Sequence, residues 1–81
     1  MTPRKKNEKK FKEWEDLPNG GRRYRLSVLG RQPGWSARYI KVVDKHEETL
    51  TFHQEIYDDK NELVEVHQKY PANTGHQKVR A

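Results

Sequence analysis

The stretch Thr49-Leu50-Thr51-Phe52-His53-Gln54-Glu55-Ile56-Tyr57-Asp58-Asp59-Lys60-Asn61-Glu62-Leu63-Val64-Glu65-Val66-His67-Gln68-Lys69-Tyr70 decides the fold. Its centre, Asp58-Asp59-Lys60-Asn61, reads as a type I turn in which Asn61 takes the left-handed position that glycine usually holds. Before the turn Leu50, Phe52 and Ile56 alternate with polar residues, and Val64 and Val66 alternate after it, which is the period of two that marks strands. The stretch is therefore a β-hairpin. If Asp58 pairs with Glu62, then Ile56 faces Val64, Gln54 faces Val66 and Phe52 faces Gln68.

Working outward, Trp35–Asp44 is rich in β-branched and aromatic residues and reads as the preceding strand, with Lys45–Glu47 turning the chain. Opposing Val42 to Leu50 and Ile40 to Phe52 collects Ile40, Val42, Leu50, Phe52, Ile56, Val64, Val66 and Tyr70 on one face. A slip of one residue scatters them over both, so the pattern favours this register. Arg22–Gly30, with Tyr24, Leu26 and Val28 alternating, is the first strand, and Arg31-Gln32-Pro33-Gly34 turns it into the second. Pro71 stops the last strand. Upstream, Asn7 is suited to cap a short helix whose Phe11, Trp14 and Leu17 share a face, ended by Pro18-Asn19-Gly20-Gly21. The expected architecture is mainly β (α+β): a four-stranded antiparallel meander with one short N-terminal helix packed on the apolar face. Residues 1–7 are expected as a basic disordered tail, 8–70 as a single domain and 71–81 as a flexible C-terminal tail.

An 81-residue chain that is 31% hydrophobic and 36% charged leaves a thin core, so a homodimer covering one sheet face is one expectation. With no cysteine, disulfides, thiolate metal sites and thiol catalysis are excluded. The charged N-terminus is followed by no apolar stretch, which argues against a signal peptide, and no apolar run approaches membrane-spanning length, so the expected location is cytoplasmic, with no membrane partner. The net charge of +5 belongs to residues 1–12, which carry six basic side chains against Glu8, whereas the remainder is balanced. That remainder is polarised: residues 17–42 hold six basic side chains and no acid, and residues 43–65 hold eight acids against two lysines.

Three constellations carry candidate chemistry. The N-terminal cluster Arg4, Lys5, Lys6, Lys9 and Lys10, with Arg22, Arg23 and Arg25 expected on an edge strand and Tyr39 and Lys41 beside them, suits a polyanion: cations attract phosphates, and an aromatic ring among them can stack a base. The bland reading is a solubilising tail and a cross-strand charge pattern. The assigned register also sets His53 opposite His67 and Glu55 opposite Glu65 on the polar face, a set suited to general acid–base cleavage of RNA with Glu as base and His as acid. The bland reading is an ordinary solvated sheet face. The same four side chains suit zinc or copper, but no metal and no cofactor is expected. No phosphate-binding loop, nucleophile elbow or RNA-recognition aromatic motif is present. Thr74-Gly75-His76 is too short a run to carry meaning alone.

The runs Gln54-Glu55-Ile56-Tyr57-Asp58, Leu63-Val64-Glu65-Val66-His67 and Tyr70-Pro71 through Gly75-His76, together with Gly20-Gly21-Arg22-Arg23-Tyr24 and Trp35-Ser36-Ala37-Arg38-Tyr39, resemble a family of short bacterial β-meander domains of unknown function, over roughly residues 11–79. The closing hairpin with Gly75-His76 also resembles C-terminal segments of bacterial polymorphic toxins. The first resemblance implies a bacterial origin and a cytosolic setting; the second adds weight to ribonuclease activity. Neither transfers a functional residue. The leading expectation is a binding module for RNA or DNA. The alternatives are a small metal-independent ribonuclease using His53, His67, Glu55 and Glu65, and a protein-interaction or dimerisation domain.

Overall fold

A computed structural model describes residues 2–73 and 75–79. It is mainly β: six antiparallel strands in one open sheet and one short helix. The helix, α1, runs Pro3–Phe11 and is followed by β1 (Glu13–Asp16), β2 (Arg22–Leu29), β3 (Ser36–Val43), β4 (Thr49–Tyr57), β5 (Leu63–Tyr70) and β6 (Gly75–Lys78). Strand order follows chain order, so the expected meander is present with two more strands than the four anticipated.

Both additional strands arise at the ends. Helix α1 starts at Pro3, inside the segment expected as a tail, because Thr2 caps it: its Oγ1 accepts from the Lys5 amide at 3.2 Å, and proline at the first turn is preset for helix. It stops at Lys12, which takes a left-handed conformation (φ 66°) and donates its amide to the Glu8 carbonyl. The chain then extends as β1 instead of continuing the helix through Trp14. The three-residue spacing of Phe11 and Trp14 mimicked a helical face, but Trp14 lies beside Tyr24 on the neighbouring strand, ring centroids 6.2 Å apart. At the other end, residues 75–78 of the expected tail pair with β5. Met1, and Thr74, Arg80 and Ala81 of that tail, lie outside the described residues.

The register corrects the expected faces. Both hairpin turns are as anticipated: Asp58 donates its amide to the Glu62 carbonyl (3.0 Å), Asn61 is left-handed (φ 61°), and Val43 pairs with Thr49. Immediately beyond each turn one residue is inserted, Leu50 in β4 and Val64 in β5. Such a bulge moves every later partner by one. Ile40 therefore faces His53, Phe52 faces Lys41, Ile56 faces Glu65 and Gln54 faces His67. Tyr39, Phe52 and Ile56 share the face that carries the helix, whereas Ile40, Val42 and Val66 lie on the other.

The core sits at one end of the helix-bearing face. Phe11, Tyr24 and Val43 are fully buried, with Leu26, Tyr39 and Phe52 packed around them. Phe11 meets Tyr24 at 5.6 Å and Phe52 edge-on at 6.3 Å between centroids. The β3–β4 turn fastens the helix: the Glu47 carboxylate accepts from Asn7 (3.1 Å), Arg4 (3.3 Å) and the Tyr24 hydroxyl. Nine residues of helix cover only the part of the sheet nearest β1 and β2 and leave the rest of that face open.

Candidate functional site

The open half of the helix-bearing face is a cavity of about 650 Å³. Its floor comes from one row across the sheet, Tyr39, Gln54, His67 and His76, which pair in sequence from β3 to β6. Arg31, Gln32 and Trp35 of the β2–β3 loop wall one side. Glu65 and Lys69 line it from β5. The loop is tight: the Gly30 amide donates to the Trp35 carbonyl at 2.8 Å, and a Cβ on Gly30 would come within 2.9 Å of Trp35, so only glycine lets Trp35 close this wall.

Two lysines flank a run of neighbouring aromatic rings along this face. Lys10 lies 5.5 Å from the Phe11 ring and 5.9 Å from that of Phe52; Phe52 neighbours Tyr39 at 6.2 Å; and the Lys69 ammonium lies 5.4 Å from the Tyr39 ring centre. Gln54 donates to the Tyr39 hydroxyl at 3.2 Å, which fixes that ring. Farther along, His67 donates from Nε2 to Asn73 Oδ1 at 2.8 Å; Asn73 Oδ1 also accepts the Gly75 amide, which sets the amide orientation and hence the proton on Nε2. His67 Nδ1 is buried without a partner. The His76 ring packs against it at 4.4 Å between centroids with the planes tilted by 53°, and its Nδ1 lies 3.6 Å from Glu65 Oε1.

Of the residues singled out from the sequence, Tyr39 lies in this cavity, and Lys5, Lys6, Lys9 and Lys10 are exposed on α1. The arginine cluster stands elsewhere. β2 is not an edge strand, since β1 flanks it and supplies carboxylates: Arg22 pairs with Asp16 (2.8 Å) and Glu8 (2.7 Å), Arg23 pairs with Glu15, and Arg25 is opposite Glu13. Arg4 is held by Glu47, and Lys41 donates to Asn7 under the helix, where burial and nearby Lys10 lower its basicity. The four groups expected to converge on one face are divided. Glu65 and His67 line the cavity, while His53 and Glu55 lie on the opposite face. There Glu55 accepts from Tyr57 (2.7 Å) and contacts His53 Nε2 (3.1 Å), and burial together with Glu55 raises the Tyr57 hydroxyl above its ordinary value. Arg38 stacks on Tyr57 at 5.0 Å. With both Glu55 oxygens engaged, this cluster has the character of a stabilising surface network.

The sequence reading missed the partnership of His76 and Asn73 with His67. The signal was Gly75, whose left-handed backbone (φ 68°) opens the short strand that carries His76. Among the described residues no group of three or more histidines or carboxylates is placed to hold a metal ion, and no helix is long and apolar enough to cross a membrane. Comparison with family models, curated proteins and solved structures gave no match.

Proposed function

We propose that the protein is a small nucleic-acid-binding module that takes a single strand along the open half of its helix-bearing sheet face. One observation carries this reading: the neighbouring rings of Phe52 and Tyr39, flanked by Lys10 at one end and Lys69 at the other, lead from a helix of exposed lysines into a cavity walled by Trp35 and Arg31. A single-stranded chain offers flat bases and a charged backbone at short repeat, and stacked rings flanked by cations match both. Arg22 and Arg23 of β2 are already met by carboxylates of β1 and Glu8 and Arg25 lies on the opposite face, so the attraction falls to Lys5, Lys6, Lys9, Lys10, Lys69 and Arg31.

The test is an amide-shift titration with a short single-stranded oligonucleotide at modest salt in chelator, with Tyr39→Ala and Lys69→Glu in parallel. Shifts at Arg31, Trp35, Tyr39, Gln54 and Lys69 are expected, and each variant should weaken binding by about tenfold, since a stacked base is worth roughly 1–3 kcal/mol. Shifts confined to α1 would reduce the interaction to non-specific attraction. The absence of any shift would turn attention to a protein partner or a second copy.

A further inference from the structure

We infer that the cavity is a catalytic site for RNA, cleaving the phosphodiester chain by transesterification with His76 as general base and Lys69 as the cation on the phosphate. The inference rests on the proposed strand-binding face and adds chemistry to it. The cavity gathers a carboxylate, two imidazoles and an ammonium on adjacent rows of two strands, because His67 pairs directly with His76 and Glu65 and Lys69 lie two residues to either side of His67.

The two histidines are not equivalent. His67 is committed: its Nε2 proton is held by Asn73, and its Nδ1 is buried. His76 is half-exposed, with its Nδ1 facing Glu65 Oε1 at 3.6 Å, an ion-pair separation wider than a hydrogen bond, and Nε2 is the nitrogen left to a substrate hydroxyl. This is the arrangement of a general base oriented by a carboxylate. His67 and Glu65 are then positioning residues, one packing against the His76 ring and the other facing its Nδ1. The charged and titratable groups around the pair are Glu65 and Lys69 of β5, Lys78 opposite Glu65 on β6, Tyr39 of β3 and Arg31 of the β2–β3 loop; β4 contributes the uncharged Gln54.

The step balances without a metal or redox partner. The ribose 2′-hydroxyl gives its proton to His76 Nε2 while its oxygen bonds to phosphorus. The P–O5′ bond breaks, and the departing O5′ takes a proton from the Lys69 ammonium. His76 then returns its proton to water and Lys69 recovers one from water. The products are a 2′,3′-cyclic phosphate and a 5′-hydroxyl end. A strand lacking the 2′-hydroxyl binds but does not react.

The test uses the full chain, in chelator, with a single-stranded RNA oligomer at saturating concentration and the all-deoxy oligomer of the same sequence as a binding probe. The expected result is RNA fragments with cyclic-phosphate ends by mass spectrometry, and a loss of about a hundredfold or more in His76→Gln. Folding of the variant is checked by its amide spectrum. In Glu65→Gln cleavage at saturating RNA should fall while affinity for the all-deoxy oligomer is retained; a merely structural Glu65 would weaken both together. Cleavage undiminished in folded His76→Gln, or RNA bound and left intact, overturns the catalytic inference while the binding reading stands. If neither oligomer binds, both fail together.

Discussion

Glu47 occupies the tip of the β3–β4 turn with a left-handed backbone (φ 67°) and a side chain only 8% exposed. Burial alone would raise its carboxyl, but bonds from Tyr24, Asn7 and Arg4 outweigh that and hold it below its ordinary value. Its partner moves the other way: burial and the Glu47 carboxylate push the Tyr24 hydroxyl up to about 12. Both shifts favour the folded state at neutral pH, with different windows. The Glu47 contribution is present above the unfolded carboxylate value and is lost as acid takes the pH down through the lowered folded value. The Tyr24 contribution is complete below about 10, the unfolded value, and disappears as pH rises toward about 12. Glu47→Gln keeps the shape but sets an amide NH₂ against donors on Asn7 and Arg4. Its expected cost is about 2 kcal/mol in urea denaturation at pH 7, shrinking as both proteins are measured at progressively lower pH. In Tyr24→Phe the alkaline loss of stability between pH 10 and 12 should be blunted. A loss of unchanged steepness would assign it to other groups.

At the scale of elements, helix α1 is held to the sheet by the Phe11 anchor, the Glu47 carboxylate, the Glu8–Arg22 ion pair and the Lys41–Asn7 bond. Phe11→Ala removes a fully buried ring and should cost about 3 to 5 kcal/mol, a large part of the stability of a domain this size. Hydrogen exchange would then report early loss of protection across Pro3–Phe11 and faster exchange at Tyr24. A purely local cost of under about 1 kcal/mol would mean that the helix is dispensable to the core. The turns were legible in the sequence because their chemistry is local. Asp44 and Asp58 each accept two amides of their own turn, and Glu47 and Asn61 each take the positive φ. Asn61→Val should accordingly cost about 1–2 kcal/mol while Asn61→Gly is tolerated, as the left-handed region penalises a branched side chain. The bulges at Leu50 and Val64 were not legible. An inserted residue leaves no mark on composition, yet it reverses the facing of all that follows, so a hydrophobic pattern read with strict period two put Ile40 and Val66 beside Phe52. The same reversal dissolved the four-residue His and Glu cluster, and the pairing of β6 with β5 set His76 beside Glu65 and His67. Two of these three residues, Glu65 and His67, were present in the reading, and the third depended on a four-residue strand too short to announce itself.

For the whole molecule, charge is arranged by position in the sheet more than by total. Carboxylates of β1 and Glu8 neutralise Arg22 and Arg23, Glu47 takes Arg4, and the lysines of α1 remain exposed, with Lys10 over the Phe52 ring. A polyanion seated in the cavity and continuing past Lys10 would therefore meet Lys5, Lys6 and Lys9 in turn. Each phosphate neutralised on a single strand contributes roughly 0.7 to the slope of log affinity against log salt. Reversing the three charges together, Lys5→Glu, Lys6→Glu and Lys9→Glu, should flatten that slope by about 2 while leaving the core intact, because all three side chains are exposed. Measuring the slope from low to moderate salt, for this variant and for Tyr39→Ala, separates the two components of the interface. The helix variant should lose salt sensitivity and the Tyr39 variant should lose affinity at every salt concentration with its slope retained. An unchanged slope in the helix variant would confine the strand to the cavity, with Lys69 and Arg31 as its phosphate contacts and α1 acting only as the lid of the core.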